Sequence, residues 1–225
     1  MIVMPVFNRP DYLTRALDSW CLVEGVADQR FLIRCEPGFP EVLDVLRAFD
    51  SRLDLTVKVN REVLGVTANP FQSLCDGFEQ AEFVVYSEDD VEIADDTLQL
   101  ADFCRQRFTD VDAVLFTQRW WTPVTGEDEH TVLVKPVFAA TGWGTWADRW
   151  DRIRDVWFEN PKGWDWSVND LILAGRWKAA VPSYARSQHY GLRGEHMTAD
   201  LFASHLCPTF STSHSPGTWR VVKHV

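Results

Sequence analysis

The chain has 225 residues, 46% of them hydrophobic and 24% charged, with a formal net charge of -11. That size suits one α/β domain, and that balance excludes disorder, collagen-like repeats and coiled coil. No apolar run approaches the roughly 18 residues of a membrane span, and a generally acidic surface does not hold nucleic acid over its whole extent.

The opening, Met1–Phe7, lacks a basic region and a small-residue cleavage site, so it reads as a strand rather than a leader. Ile2–Phe7 is closed by Asn8-Arg9-Pro10, a turn signal, and Tyr12, Leu13, Ala16, Leu17 and Trp20 then recur at helical spacing. Phe31-Leu32-Ile33 is a second strand stopped by Glu36-Pro37-Gly38, and the apolar positions from Val42 to Phe49 mark a second helix. Leu55–Val59 alternates as a third strand. A third helix is expected from Asn69 to Gln80, with Asn69 as its cap and Pro70 at its first position. Phe83–Tyr86 is a fourth strand that ends abruptly in carboxylates. This alternation implies a mostly parallel, doubly wound sheet, which binds ligands at the carboxyl ends of its strands.

The second half is Trp-rich and less periodic, with a polar loop over residues 121–131. Eight of eleven tryptophans fall within residues 120–166. The cluster reads as core or as a platform for sugar rings, with composition favouring core. The five cysteines (Cys21, Cys35, Cys75, Cys104, Cys207) are scattered and form no CxxC pair. That pattern points away from a disulfide framework or a zinc site and toward a reducing cytoplasm. Residues 176–225 carry six Lys/Arg against only Glu195 and Asp200, together with five of the six histidines, so this end is locally cationic. A solvated basic tail or a surface facing phosphate fits it.

Three places carry chemistry. Ser87-Glu88-Asp89-Asp90-Val91-Glu92 sets carboxylates at a strand's end, where they repel one another unless a cation sits among them. Oxygen ligation suits Mg²⁺ or Mn²⁺, which take their remaining ligands from phosphates and water. The plain alternative is an acidic loop with Asp95 or Asp96 capping the next helix. Gly163-Trp164-Asp165-Trp166 sets a carboxylate between indoles, either a partly desolvated general base or a surface aspartate on a helix that buries its tryptophans. Ser187–His196 is a glycine-punctuated segment with Arg193, His189 and His196, suited to closing over a diphosphate. There is no G-x-x-x-x-G-K-[ST], no G-x-G-x-x-G after the first strand, no G-x-S-x-G and no H-E-x-x-H, so kinase, dehydrogenase, hydrolase and zinc-protease readings lose their support.

Taken in order, MPVFNRP, RCEPG, the EDD triplet, GWG, WD and a closing G-x-x-G-x-H resemble the nucleotide-sugar glycosyltransferases of the GT-A fold, and within them family 2 and N-acetylglucosaminyltransferase I. The resemblance runs from Ile2 to about His196. It implies one α/β domain, residues 1–225, with a nucleotide-sugar half over 1–96 and an acceptor half over 97–225. It also implies roles for single residues. Pro5, Phe7, Asn8 and Arg9 would line the nucleotide pocket, Glu36 would meet the base, and Gly65 and Asn69 would belong to the same pocket. Asp89 would touch the ribose, Glu88 would approach the donor sugar, and Asp90 would bind the metal. Trp164 would lie beside the sugar, Asp165 would be the catalytic base of an inverting transfer, Arg193 would neutralise the leaving diphosphate, and His196 would approach the metal.

The resemblance further implies Mn²⁺ or Mg²⁺ as cofactor, a nucleotide-diphosphate sugar (a UDP-sugar foremost) as donor, and a glycan or a hydroxylated base in phage DNA as acceptor. A cytoplasmic enzyme of a microbe or of a virus-infected cell fits a chain without stem or anchor. Glu36 departs from the aspartate usual at that place, and the segment after Gly65 matches loosely. A sugar nucleotidyltransferase would want a Gly-rich basic loop where Asn8-Arg9-Pro10-Asp11 stands. A non-catalytic sugar-binding module would leave the carboxylates after the fourth strand without a purpose.

Overall fold

The computed structural model describes residues 1–109, 114–118, 128–174, 177–193 and 198–222. The first half alternates as its periodicity predicts: β1 (Ile2–Val6), α1 (Pro10–Trp20), β2 (Arg30–Cys35), α2 (Pro40–Phe49), β3 (Asp54–Val59), α3 (Gly65–Phe78) and β4 (Phe83–Tyr86). These strands are parallel and lie in the order β3-β2-β1-β4.

The second half completes the same sheet. Its elements are β5 (Val91–Ile93), α4 (Thr97–Arg107), β6 (Val114–Thr117), β7 (Thr131–Lys135), β8 (Trp143–Trp146), α5 (Ala147–Val156), α6 (Trp164–Leu173), β9 (Lys178–Pro182), β10 (Ser187–His189), α7 (Ala199–His205) and β11 (Arg220–Val222). Beyond β4 the order runs β8-β6-β9-β7-β11, with β8 antiparallel to both β4 and β6. β10 and β5 form a separate antiparallel ribbon, His189 opposite Val91. No described helix is long and apolar enough to cross a membrane.

Alternate strand residues feed two cores. Ile2, Met4, Val6, Phe31, Ile33 and Val85 join Trp20, Leu17 and Leu100 on one face. Val3, Leu32, Val84 and Tyr86 join Leu74, Trp143, Trp150, Trp157 and Trp164 on the other. The tryptophans left open by composition are therefore largely core: Trp143, Trp146, Trp150, Trp157, Trp164 and Trp177 are all buried. Trp120 and Trp121 lie outside the described residues. All five cysteines are free thiols.

Two local expectations need correction. α3 begins at Gly65 rather than after Asn69, and Pro70 lies inside it. The cause is Glu36, whose carboxylate accepts the Leu64 and Gly65 N–H groups and so satisfies donors at the helix start from another element. Gly65 sits at φ +77°, a conformation that favours glycine. Asp96 stands at the N-cap of α4 but makes no side-chain cap bond. Its carboxylate instead takes Arg186 Nε at 2.8 Å and Nη2 at 2.9 Å, and Arg186 is fully buried. Asp95 accepts from Ser213 Oγ and the His214 N–H instead of capping α4.

Asp96→Asn leaves that buried guanidinium without its counter-charge and is expected to cost about 3–5 kcal/mol. Gly144→Ala drives a Cβ to 2.1 Å from Phe116 Cε1 in the centre of the sheet, and an expected loss of about 1–3 kcal/mol follows from the overpacking. Urea denaturation of both variants checks the two values.

Candidate functional site

β4 ends at the sheet's centre, and the chain after it turns straight into Ser87-Glu88-Asp89-Asp90. Asp89 and Asp90 are both buried. Burial of adjacent carboxylates is tolerable only with donors and opposite charge at hand, and the neighbouring loop supplies them. Arg9, just past β1, donates through Nη2 to Asp89 Oδ1 and through Nη1 to Asp90 Oδ2. The Phe7 N–H donates to Asp89 Oδ2 at 3.2 Å, so the β1–α1 turn grips both carboxylates.

From the other side His189 Nε2 meets Asp90 Oδ2 at 3.1 Å, and the Tyr190 N–H donates to the Asp90 carbonyl at 3.0 Å. Gly191 leaves room for this arrangement, since a Cβ there would stand 2.1 Å from Asp90 Oδ2. Glu88 points the other way and accepts from the Tyr86 hydroxyl at 3.1 Å.

The three carboxyls titrate apart. Burial, with the Asp90 charge adding to it, pushes Glu88 and Asp89 above the ordinary carboxylate range. Burial acts the same way on Asp90, but the His189 and Arg9 contacts outweigh it and hold Asp90 below that range.

The Asp90 Oδ2–His189 Nε2 separation of 3.1 Å is that of a hydrogen bond, whose place a divalent ion with ligands about 2.1 Å away would have to take. Among the described residues no three His, Cys, Asp or Glu side chains converge to hold a metal. Asp90 and His189 are of the donor types that bind Mg²⁺ or Mn²⁺, and an ion there would take its other ligands from phosphate oxygens and water. Arg9 already occupies Asp90 Oδ2 and is a competing cation.

β10, which carries His189, is fastened along its length. Arg186 is paired with Asp96, and Ser187 Oγ donates to the Thr141 carbonyl at 2.7 Å. Gln188 accepts the Cys207 N–H at 2.6 Å while its own amide donates to the His189 carbonyl at 2.7 Å. The Tyr190 hydroxyl reaches the Tyr12 carbonyl at 2.7 Å. Arg193 lies over the Tyr12 ring, 4.8 Å from its centroid, and pairs with Asp11 at an exposed position.

The expected nucleotide pocket flanks this cluster. Phe7 is exposed and meets Phe39 edge to face, with centroids 5.1 Å apart. Pro5 is half-buried, and Asn8 is exposed. The Glu36 carboxylate is buried, and besides the Leu64 and Gly65 N–H groups it takes the Asn60 amide at 2.8 Å. The same Asn60 amide donates to Asn69 Oδ1 at 3.0 Å. Glu36, Gly65 and Asn69 therefore come together as one hydrogen-bonded group.

α6 opens after Gly163 with Trp164 and Asp165 in its first turn. Trp164 is stacked on Trp157, centroids 4.4 Å apart and planes 2° apart, and packs edge to face on Tyr86 at 5.6 Å. Tyr86 is the residue that bonds Glu88, so contacts link the start of α6 to the carboxylate cluster. Burial raises the Asp165 carboxyl above its ordinary value against the lowering effect of backbone N–H donors. His196 lies outside the described residues. His189, which the sequence offered only as one imidazole among several, is the histidine found at Asp90. Phe39 went unremarked, although it is spaced just beyond the Glu36-Pro37-Gly38 turn.

No protein-family profile matches the sequence. Among solved structures, the chain is similar to residues 1–349 of TarS from S. aureus, with a TM-score of 0.61 and 16% identity over 85% of this chain and 60% of that one. It is also similar to TarS in complex with UDP-GlcNAc (TM-score 0.60, 16% identity, 90% and 63% covered). A third similar structure is the mannosyltransferase PcManGT from Pyrobaculum calidifontis in complex with GDP-Man and Mn²⁺ (TM-score 0.55, 15% identity, 82% and 56% covered). The chain spans less than two thirds of each of these neighbours. It shares their architecture, the GT-A fold, over most of its own length.

Proposed function

We propose that the protein is a metal-assisted glycosyltransferase that moves a sugar from a nucleotide-diphosphate sugar to an acceptor hydroxyl with inversion. The observation that carries this reading is Asp90, a buried carboxylate at the carboxyl end of β4, met at one oxygen by both Arg9 and His189. The fold supports it, because neighbours of that fold are solved with UDP-GlcNAc and with GDP-Man and Mn²⁺. Residues 1–96 would hold the donor and residues 97–225 the acceptor side.

In this reading Phe7 and Phe39 flank the base, and the Glu36–Asn60–Asn69 group shapes the floor beneath it. Asp89 meets the ribose and Glu88 faces the donor sugar beside Trp164. Asp90 and His189 would hold Mn²⁺ or Mg²⁺, which when bound supplies Lewis-acid neutralisation of the leaving diphosphate. Arg9 adds a fixed positive charge at the same place, with Arg193 at the rim. Asp165 accepts the proton as the acceptor O–H bond breaks. The acceptor oxygen then bonds the anomeric carbon, and that carbon's bond to the diphosphate oxygen breaks with its electron pair leaving on the diphosphate.

A second reading is favoured by the Arg9 clasp itself: a guanidinium bridging Asp89 and Asp90 serves as the cation, and no metal is needed. Thermal shift with UDP and GDP, with Mn²⁺ or with EDTA, separates the two. A ligand that binds only the folded state raises the melting temperature. The metal reading expects a nucleotide shift that requires Mn²⁺ and is lost in Asp90→Asn and weakened in His189→Ala. An equal shift in EDTA selects the Arg9 reading, and no shift with any nucleotide overturns both.

Asp165→Asn is expected to keep the nucleotide shift while turnover falls by about 10²–10⁴-fold. In the wild type the acidic limb of the rate profile should lie above the pH range of an ordinary aspartate, because the base works only when ionised and burial raises its pKa. Stability runs the other way. A carboxyl whose folded-state pKa is raised contributes stability that is complete below the unfolded value and is lost as pH rises through the folded one. At neutral pH Asp165→Asn should therefore melt no lower than the wild type, and scans at acidic and neutral pH test the sign.

A further inference from the structure

β3 is the outermost strand of the nine-stranded sheet, six residues long and paired along one side with β2. The strand at the other margin, β11, has three residues. Asp54, Thr56, Val57 and Val59 are exposed, the two valines at 39% and 50%. With Val63 and Val66, four of the eleven exposed large apolar side chains among the described residues fall within residues 57–66, so this margin is apolar as well as open. An unpaired strand edge is a template for another strand, against which proteins set prolines, bulges and lysines. Asp54–Val59 has no proline and runs in unbroken register with Arg30–Cys35. Lys58 is its single guard.

The direction of each peptide group on β3 follows from one bond. The Asn60 N–H donates to the Cys35 carbonyl of β2 at 2.8 Å. Peptide groups alternate sides along a strand, so Lys58 and Thr56 also face β2, while Leu55, Val57 and Val59 turn their N–H and C=O groups outward. The side chains alternate between the two faces of the sheet. Leu55, Val57 and Val59 lie opposite Phe31, Ile33 and Cys35, on the face of the core that α2 covers. Asp54, Thr56 and Lys58 lie on the α3 face, where Lys58 Nζ is 3.1 Å from Asp76 Oδ1. Asp76 is paired with Arg34 as well, so it keeps a counter-charge if Lys58 turns to another carboxylate.

We propose that β3 is a dimer interface, pairing antiparallel with β3 of a second copy of this chain about a two-fold axis through Thr56. That register sets Asp54 opposite Lys58 of the second copy, and Lys58 opposite its Asp54. Both are non-hydrogen-bonded pairs, whose Cα atoms stand about 4.5 Å apart and whose side chains are closest. Leu55 falls opposite Val57, both with outward peptide groups, so each such pair exchanges its two N–H···O bonds. A shift of one residue matches outward groups with inward ones and loses the bonds. A shift of the axis to Leu55 or Val57 puts Asp54 or Lys58 against Thr56 and loses both charge pairs. The strand is thus complementary to its own reverse in charge and in hydrogen bonding at one register, which selects a second copy over a foreign strand. The pairing stands apart from the transfer reading, because β2 and β1 separate β3 from β4 and its carboxylates.

The test is sedimentation velocity on the full chain across the micromolar range, joined to amide hydrogen exchange. The wild type should pass from monomer to dimer as concentration rises, while exchange slows at the Leu55 and Val57 amides. Asp54→Lys and Lys58→Asp each set like charges face to face twice, and each alone should raise the dissociation constant about tenfold. Mixed one to one, the two variants regain both opposite-charge pairs and should form a heterodimer as tight as the wild-type dimer, which also shows that both fold. Val57→Pro removes an outward N–H that β2 does not use and should abolish the dimer. A wild type that stays monomeric throughout, a dimer indifferent to Asp54→Lys, variants that do not recover on mixing, or a dimer whose Leu55 and Val57 amides exchange at the monomer's rate overturns the interface.

Discussion

Two carboxylates side by side, both inside the protein, set the terms for the rest of the architecture. Asp89 and Asp90 lie where β4 runs out of the sheet, and taking even one such charge out of water costs several kcal/mol unless it is compensated. Compensation comes from the two segments the topology brings nearest. The turn after β1, the parallel neighbour of β4, delivers Arg9 and the Phe7 N–H. The β10–β5 ribbon delivers His189, because β5 begins at Val91, the residue after Asp90, and His189 is its partner in register. The charge at this end of the sheet is therefore ordered by contacts within the chain itself.

The same constraint accounts for the care with which β10 is held. A three-residue strand in a two-stranded ribbon is weak on its own, yet each residue from Arg186 to Tyr190 has a tie to a different part of the chain. Gln188 is well suited to its place, since its amide accepts the Cys207 N–H through Oε1 while donating to the His189 carbonyl through Nε2. The C-terminal segment also docks through Ser213 and His214 on Asp95, through His214 Nδ1 on Glu129 at 2.9 Å, and through Trp219 against His130 and Arg186. Residues far along the chain thereby fix the position of one imidazole.

The parallel half of the fold was legible because its strands are short apolar runs separated by helices with clear periodicity and by turn signals. β6, β8 and β9 were not, because a strand buried on both faces has no alternation to read, and Trp143-Gly144-Thr145-Trp146 is buried throughout. The start of α3 was misplaced because its capping group is Glu36, 29 residues upstream of Gly65, and local signals carry no information about a cap supplied from another strand. The carboxylates of the site were visible as a run of like charge after an apolar strand. The pairing of His189 with Asp90 was not, since it depends on the register of a ribbon closing over 99 residues of sequence.

The tryptophan cluster and the carboxylate cluster form one mechanical unit rather than a core and a site. Trp157 anchors through its ring nitrogen to the Thr67 carbonyl of α3 at 3.0 Å and stacks flat on Trp164. Trp164 rests on Tyr86, and Tyr86 holds Glu88. Aromatic rings in close contact have few rotamers and little room to slide, so the start of α6, and Asp165 with it, is tied to the end of β4 through rigid pieces. A base at the start of α6, as proposed above, would have to keep its place relative to the carboxylates to well within an ångström for an in-line displacement. A stack of buried indoles achieves this with less conformational freedom than a loop of polar residues could. That is a physical reason for so many tryptophans to stand between the carboxylates and the start of α6.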